Sequence, residues 1–478
     1  MRIVVIGAGM AGILAGIKLK AMGLEFAIYE KADRIGGTWR ENTYPGLTCD
    51  VPSHHYTYSF ARNPDWTRHL SPGPEIQAYF EQCCDSFAIR DHICFNTGVA
   101  KAEWDGERWQ LTLSNGRSDS ADIVIAATGV LHHPALPPIS GMETFEGALF
   151  HTARWDHAVA LQDRRVGVIG MGSTGVQIIS ALAGVCQKLE HYVRTPQWIM
   201  PVENGHFSKE ERVAFRNDPA TLEAAMDVET YTSNVEAYTD GLTKPDSPGA
   251  QIWRSACIDN LEMNVRDPVL KEALRPDHEP MCKRLIFSPD YYEKIQHPDT
   301  RLVRADITGI EPEGIRTSDG ELHELDVIAL ATGFRADQFM RPMQILGENG
   351  ADLDTLWSHK PIAYLAISMP GFPNFFMLNG PNGPVGNFSL IDIAEHQWNY
   401  IEQLMAPILK GEKATVAPTP DAMARFDAER IEAAKQTVWY TGGCQSWYLD
   451  VDGIPASWPW NYSRFVEEMK APKWEHFA

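Results

Sequence analysis

At 478 residues the chain is long enough for two or three domains of roughly 150 residues each. Its formal charge of −21 repels nucleic acid and anionic lipid, so neither is expected as a partner. A composition 44% hydrophobic and 22% charged is that of a globular enzyme. No run reaches the ~18 apolar residues of a membrane helix. Residues 3–17 are uncharged, but their glycines are spaced as a turn and no clear cleavage site follows, so the reading is a soluble cytoplasmic protein.

The first element is an apolar strand over residues 2–6. The turn Gly7-Ala-Gly9-Met-Ala-Gly12 follows, then a helix to about Ala21 and a strand over Phe26–Glu30. One Gly-x-Gly-x-x-Gly is a weak signal, but between a strand and a helix, with an acid ending the next strand, it marks a dinucleotide site. The glycines let the backbone approach a pyrophosphate at the positive end of the helix. Glu30, 18 residues beyond Gly12, can accept from a ribose 2′-hydroxyl and repels a 2′-phosphate, which suits FAD or NAD. Asp122–Gly129 reads as this unit's closing strand.

A linker, Phe145 to Asp156, carries His151 and Trp155. A second unit then repeats the first, with a strand over 165–169, the turn Gly170-Met-Gly172-Ser173-Thr174-Gly175 and a helix from about Thr174. Its second strand, 191–193, leads into Arg194-Thr195, with Arg194 19 residues beyond Gly175. A guanidinium there suits a 2′-phosphate. An acid in one copy and a base in the other separate FAD from NADPH. The glycine turns repeat at an offset of 163 residues and the Thr-Gly strand ends (Thr128, Thr332) at 204, which places an insertion of about 41 residues in the second unit. It falls within residues 203–280. They read as a solvated helical cap with a capping box at Ser208–Glu211, a break at Lys244–Gly249 and a short helix over 265–274.

From about residue 334 the chain returns to the first unit. The loop Gly380-Pro-Asn-Gly-Pro-Val-Gly386 precedes a helix beginning near Phe388, and an aromatic segment follows at Ser446–Gly453 and Trp458–Trp460. The fold expected is α/β. It has two Rossmann-like dinucleotide-binding domains, for FAD and NADP, the second interrupting the first, over 1–137, 138–333 (insertion 203–280) and 334–478. The eight cysteines form no Cys-x-x-Cys pair, so neither a zinc site nor a redox disulfide of the thioredoxin-reductase kind is expected. They read as buried thiols.

Two runs are more specific. Phe145-x-Gly147-x-x-x-His151-x-x-x-Trp155-Asp156 resembles the fingerprint of type I Baeyer–Villiger monooxygenases, and Gly36-Gly37-Thr38-Trp39 through Tyr44-Pro45-Gly46 to Asp50 resembles that family's N-terminal motif. The resemblance extends through Lys283-Arg284, the Gly380-Pro loop and Ser446-Trp447-Tyr448. The tail and the Asp50-Val-Pro-Ser-His stretch are similar to members acting on aromatic ketones such as hydroxyacetophenone. The resemblance implies that NADPH reduces FAD, that O2 adds to the flavin as a C4a-peroxide, and that a small ketone becomes an ester or lactone. It implies Arg284 as the active-site cation and Asp50 as the carboxylate that positions it. FAD would lie against Gly7, Gly9, Gly12, Glu30, Gly37, Thr38, Trp39, Asp50, Tyr56 and Val99. NADP would lie against Gly170, Gly172, Ser173, Thr174, Gly175, Gln177 and Trp447, with Arg194, Thr195 and Lys283 on its 2′-phosphate. His151 and Trp155 are conformational. The alternatives are a flavin monooxygenase oxidising nitrogen or sulfur, an FAD/NADPH reductase without oxygen insertion, and a non-catalytic nucleotide-binding or scaffold protein.

Overall fold

A computed structural model describes residues 1–478. Two five-stranded, all-parallel sheets carry the molecule. In the first, the central strand Arg2–Ile6 lies between Glu25–Tyr29 and Ile123–Ala126, with Ile93–Cys94 and Phe375–Met377 at the edges. In the second, Arg165–Ile169 lies between Lys188–Tyr192 and Val327–Leu330, with Thr300–Val303 and Ala148–His151 outside them. Both central strands are apolar after their first arginine, β-branched except at Gly167, because both faces are covered. Ile3, Val4 and Val5, like Val166 and Val168, are fully buried.

The helices that follow the glycine turns are Met10–Ala21 and Ser173–Leu182. The first packs with Leu390–Leu409, so the C-terminal section does return to the first sheet. That last helix starts two residues later than expected from the Gly-Pro loop, at Leu390. The linker is not wholly irregular. Ala148–His151 is the edge strand of the second sheet, in parallel register with Val327–Leu330. Phe150 packs edge-on against the buried Trp155, 4.9 Å between ring centres.

The insertion holds five helices between Lys209 and Leu274. Each start has a side-chain cap, at Ser208, Asp218, Asp227, Ser247 and Asp267, and the Ser208–Glu211 capping box forms. The short helix expected over 265–274 begins only at Pro268, because Asp267 caps it. The region is more than a solvated cap. Tyr231 stacks on His55 at 3.7 Å, and Glu236 accepts from Asn461 and from the Ser463 backbone. Its inner face is thus a wall against the first unit. The cysteine expectation also needs correction, since Cys282 and Cys444 form a disulfide across 162 residues of sequence. Five of the other six are buried, and Cys94 is exposed.

Candidate active site

A cleft of about 1440 Å³ is lined from both sheets, larger than the roughly 300–1,000 Å³ of a single-ligand pocket. Its first arm is built by the Gly7–Gly12 turn. Gly7 has φ +101°, and a Cβ on Gly12 would lie 1.8 Å from the Gly7 carbonyl oxygen, so helix and turn meet only through glycine. Glu30 is held by the backbone N–H groups of Ala8 (2.7 Å) and Ala32 (2.9 Å) and by Arg40 (3.1 Å). Its carboxylate is fixed at the cleft wall, placed to accept from a ribose hydroxyl. Gly37, Thr38, Trp39, Tyr56 and Val99 line the same arm, with the Trp39 indole N–H donating to the Tyr56 hydroxyl at 3.1 Å.

The second arm repeats the design. Gly170 has φ +113°, and Gly175 meets it as Gly12 meets Gly7. A side chain on Gly172 would meet nothing of the protein and would project into open space, the form of a cradle shaped for a ligand. His191 braces this turn from behind. One ring nitrogen bonds the Gly170 carbonyl at 3.0 Å and the other the Tyr291 hydroxyl at 3.0 Å. Burial lowers its pKa to about 4, so it stays neutral. Arg194, Thr195 and Lys283 line the arm's far end. Neither cation makes an ion pair. Burial, and secondarily the nearby Arg194, lower the Lys283 pKa, while Asp277 works the other way. Two facing cations without a partner suit an anion such as a phosphate.

Arg284 joins the arms. It donates to Asp50 at 2.5 Å and to the Gly386 carbonyl oxygen, and it touches the Tyr448 hydroxyl. About a quarter of its side chain remains open, and Arg284, Asp50, Gly386 and Trp447 all line the cleft. Burial works against its charge, but Asp50 more than compensates and the pKa is raised. Trp447 stacks on Tyr448, and Tyr448 on Trp439.

Where the two units join, the chain crosses twice, at 133–135 and 332–335. The crossings are hydrogen-bonded to each other: Ala135 N to Gly333 O at 2.9 Å, Thr332 Oγ1 to Ala135 O at 2.6 Å and Arg335 N to His133 O at 2.8 Å. His151 pins them. Its Nδ1 accepts from Ala153 N at 3.1 Å, so Nε2 carries the proton and donates to Gly333 O at 3.0 Å. Burial depresses its pKa, which keeps it neutral.

The structure therefore brings most of the sequence-chosen residues to one cleft. Gly12 and Gly175 sit behind the turns, and His151 and Trp155 lie outside the wall. Gln177 reaches the cleft, but its amide is taken up by Tyr44 (2.8 Å) and the Thr48 carbonyl (3.0 Å), tying the second unit to a loop of the first. The roles of Gly386, Tyr448 and His191 were not read from sequence. Tyr448 adjoins a tryptophan already singled out, and Gly386 ends the Gly-Pro loop. His191 carried no signal beyond its place in a strand.

Two dinucleotide-type turns facing one cleft with a fixed arginine define a flavoprotein-monooxygenase architecture. A family model of flavin-binding monooxygenase-like proteins matches residues 1–209. An uncharacterized monooxygenase of Mycobacterium tuberculosis is 47% identical over 90% of this chain and 86% of its own length. A Baeyer–Villiger monooxygenase of Streptomyces coelicolor is 36% identical over 98% and 91%. Among solved structures, OTEMO in complex with FAD and NADP superposes with a TM-score of 0.85 at 28% identity, covering 98% of this chain and 96% of that one. The chain belongs to the Baeyer–Villiger monooxygenases.

Proposed function

We propose that the protein uses NADPH and O2 on bound FAD to insert one oxygen atom beside the carbonyl of a small ketone, giving an ester or lactone. The observation that carries this reading is Arg284, fixed by Asp50 and Gly386 and facing the cleft between the two glycine turns. Residues 1–137 with 334–478 would hold FAD, and residues 138–333 NADP. FAD, when bound, supplies two-electron reduction and activation of dioxygen. The open Gly172 cradle and the unpaired Arg194 and Lys283 fit NADP, and the Glu30 carboxylate fits the free ribose of FAD.

The chain's own groups meet the remaining demands. A guanidinium stays protonated at any working pH, so Arg284 presents fixed positive charge to the reacting oxygens as they become negative. In a water-poor site such a preorganised group needs no reorganisation. Asp50 and Gly386 keep it from swinging away, and Asp50 leaves the guanidinium charged. Trp447 and Tyr448 cover the cleft edge and limit water. His151, neutral and bonded only to backbone, positions the crossing strands and transfers no proton.

The test is NADPH consumption by the flavin-loaded enzyme over aromatic, cyclic and linear ketones, with product masses checked for one added oxygen atom. Aromatic ketones are the expected preference, from the Asp50–His54 stretch and the tail. A thioether is run alongside. Sulfoxide with no ester from any ketone would reverse the assignment in favour of a sulfur-oxidising enzyme.

A further inference from the structure

The Cys282–Cys444 disulfide joins two segments that the site needs in register. Cys282 immediately precedes Lys283 and Arg284. Cys444 immediately precedes Gln445, Ser446 and Trp447, all three of which line the cleft. The bond closes a span of 162 residues and links the end of the helical insertion to the C-terminal section.

The segment from Gly442 to Ser457 is a strap held firmly at one end. There, Trp458 N donates to Gly383 O at 3.2 Å, Ser457 Oγ to Gly383 O at 3.1 Å, and Asn382 to Ala456 O at 2.9 Å. Toward the middle Trp447 is 43% and Val451 70% exposed, while Tyr448 is buried, Asp450 and Asp452 pair with Lys360 at 3.1 and 3.0 Å, and Arg430 donates to Pro455 O at 2.8 Å. At the other end its hold on the segment before Arg284 is the disulfide and one backbone bond, Glu279 N to Gly442 O at 3.0 Å. Packing there leaves no slack, since a Cβ on Gly442 would lie 2.9 Å from the Cys282 sulfur.

We propose that Cys282–Cys444 is a redox-controlled clasp that holds this strap over the pyridine-nucleotide arm, and that a dithiol opens it. The inference rests on the assignment of NADP to the second glycine turn. A tether of this kind makes closure of the strap intramolecular, with the gain in effective concentration that follows. Opening begins when a thiolate of the dithiol attacks the sulfur of Cys444, the less deeply buried residue of the pair at 7% exposure against 0% for Cys282. That step breaks the S–S bond, forms a mixed disulfide and releases Cys282 as thiolate, which takes up a proton. The second thiol of the reagent then displaces Cys444, so the protein gains two electrons and two protons and the dithiol is oxidised to its cyclic disulfide. Closing is the reverse two-electron oxidation by a peroxide, which leaves two water molecules when hydrogen peroxide is the oxidant.

The experiment uses the flavin-loaded full chain. Thiols titrated in denaturant should number six before dithiothreitol, matching the six free cysteines, and the extra pair exposed after reduction should map to Cys282 and Cys444. Stopped-flow displacement should show NADP⁺ leaving the reduced form at least about tenfold faster, with hydrogen peroxide restoring the slow rate. The Cys282→Ser/Cys444→Ser variant should release NADP⁺ at the fast rate and ignore dithiothreitol. If that variant does not fold, the reduction and reoxidation cycle of the unmodified protein decides alone. Cys282 and Cys444 that stay alkylatable after peroxide overturn the proposal, as does a release rate indifferent to reduction. Absence of NADP⁺ binding in either state instead defeats the nucleotide assignment, and the clasp with it.

Discussion

Replacing Arg284 by alanine should separate the two halves of the reaction. The guanidinium is one unit of positive charge, about a quarter open to the cleft and held by two acceptors. Removing one preorganised electrostatic group from a reacting site typically costs about 3–4 kcal/mol, a loss of roughly 10²–10³-fold in rate. Coulomb's law agrees in scale, giving about 4 kcal/mol for unit charges 4 Å apart at an effective dielectric constant near 20. The loss should fall on oxygen insertion alone, because no part of the Gly170–Gly175 turn depends on Arg284. Anaerobic mixing with NADPH should bleach the flavin at close to the native rate. In air, ester should fall by the stated factor while NADPH oxidation continues and hydrogen peroxide accumulates. The substitution leaves Asp50 without its partner, so a drop in thermal midpoint is expected, and Arg284→Ala combined with Asp50→Asn should recover part of that drop without recovering ester. Ester formation within about tenfold of native would refute the role given to the arginine, since it leaves less than about 1.4 kcal/mol for the charge to supply.

Two further outcomes follow from the second arm. Arg194→Ala should raise the KM for NADPH about tenfold and leave NADH almost unaffected, the low end of the 1.5–3 kcal/mol for a hydrogen bond to a charged group because Arg194 is exposed; equal effects on both coenzymes would sink the 2′-phosphate reading. His191 titrates near 4 when folded against about 6.5 unfolded. Above the unfolded value it is neutral in both states and costs nothing. As the pH falls from there toward 4 the unfolded chain takes up a proton that the folded chain refuses, so stability declines by up to about 1.4 kcal/mol per pH unit. Melting curves from about pH 7.5 to 5 should therefore be steeper for the native protein than for His191→Gln, and parallel curves would contradict the buried neutral assignment.

The parts of this fold that could be read from the chain are those fixed by local backbone geometry. The strand expected over 2–6 is Arg2–Ile6, and the helix expected to end near Ala21 ends there, because an apolar β-branched run, a glycine turn and an apolar, largely buried helical run each constrain their own neighbourhood. The same holds for the Ser208 capping box. What was not legible depends on register between distant segments. Val99–Trp104, Trp109–Leu113 and Ser118–Ala121 form an antiparallel meander to which Gln344–Leu346 adds a parallel edge strand, and no short-range pattern announces a strand contributed from over two hundred residues away. Ala148–His151 looked like linker because an edge strand of four residues carries too little periodicity to stand out. Asp50 and Arg284 are 234 residues apart, and Gly386 is a further 102 beyond Arg284. Their pairing came into view through resemblance to a family, and no periodicity or spacing could have supplied it. The disulfide is the same case, since eight scattered cysteines give no connectivity.

The placement of Arg284 bears on how the two halves of the reaction are kept in order. The cation comes from the segment that closes the insertion, whereas its acceptors, Asp50 and Gly386, come from loops that belong to the first sheet and the C-terminal section. Its geometry therefore exists only while the two units are seated together. The crossings at 133–135 and 332–335, locked by His151 on the Gly333 carbonyl, are the points about which any relative movement must turn. Gln177, bound to Tyr44 and Thr48, adds a second contact on the same interface. A shift that parted the units would withdraw the guanidinium from its carboxylate and leave Asp50, about three-quarters buried, without its partner, which is unfavourable. On the role proposed for Arg284, the ion pair ties its charge to the closed arrangement, and a substitution at His151 that frees the crossings should lower the coupling of NADPH consumption to ester formation, read as ester formed per NADPH consumed.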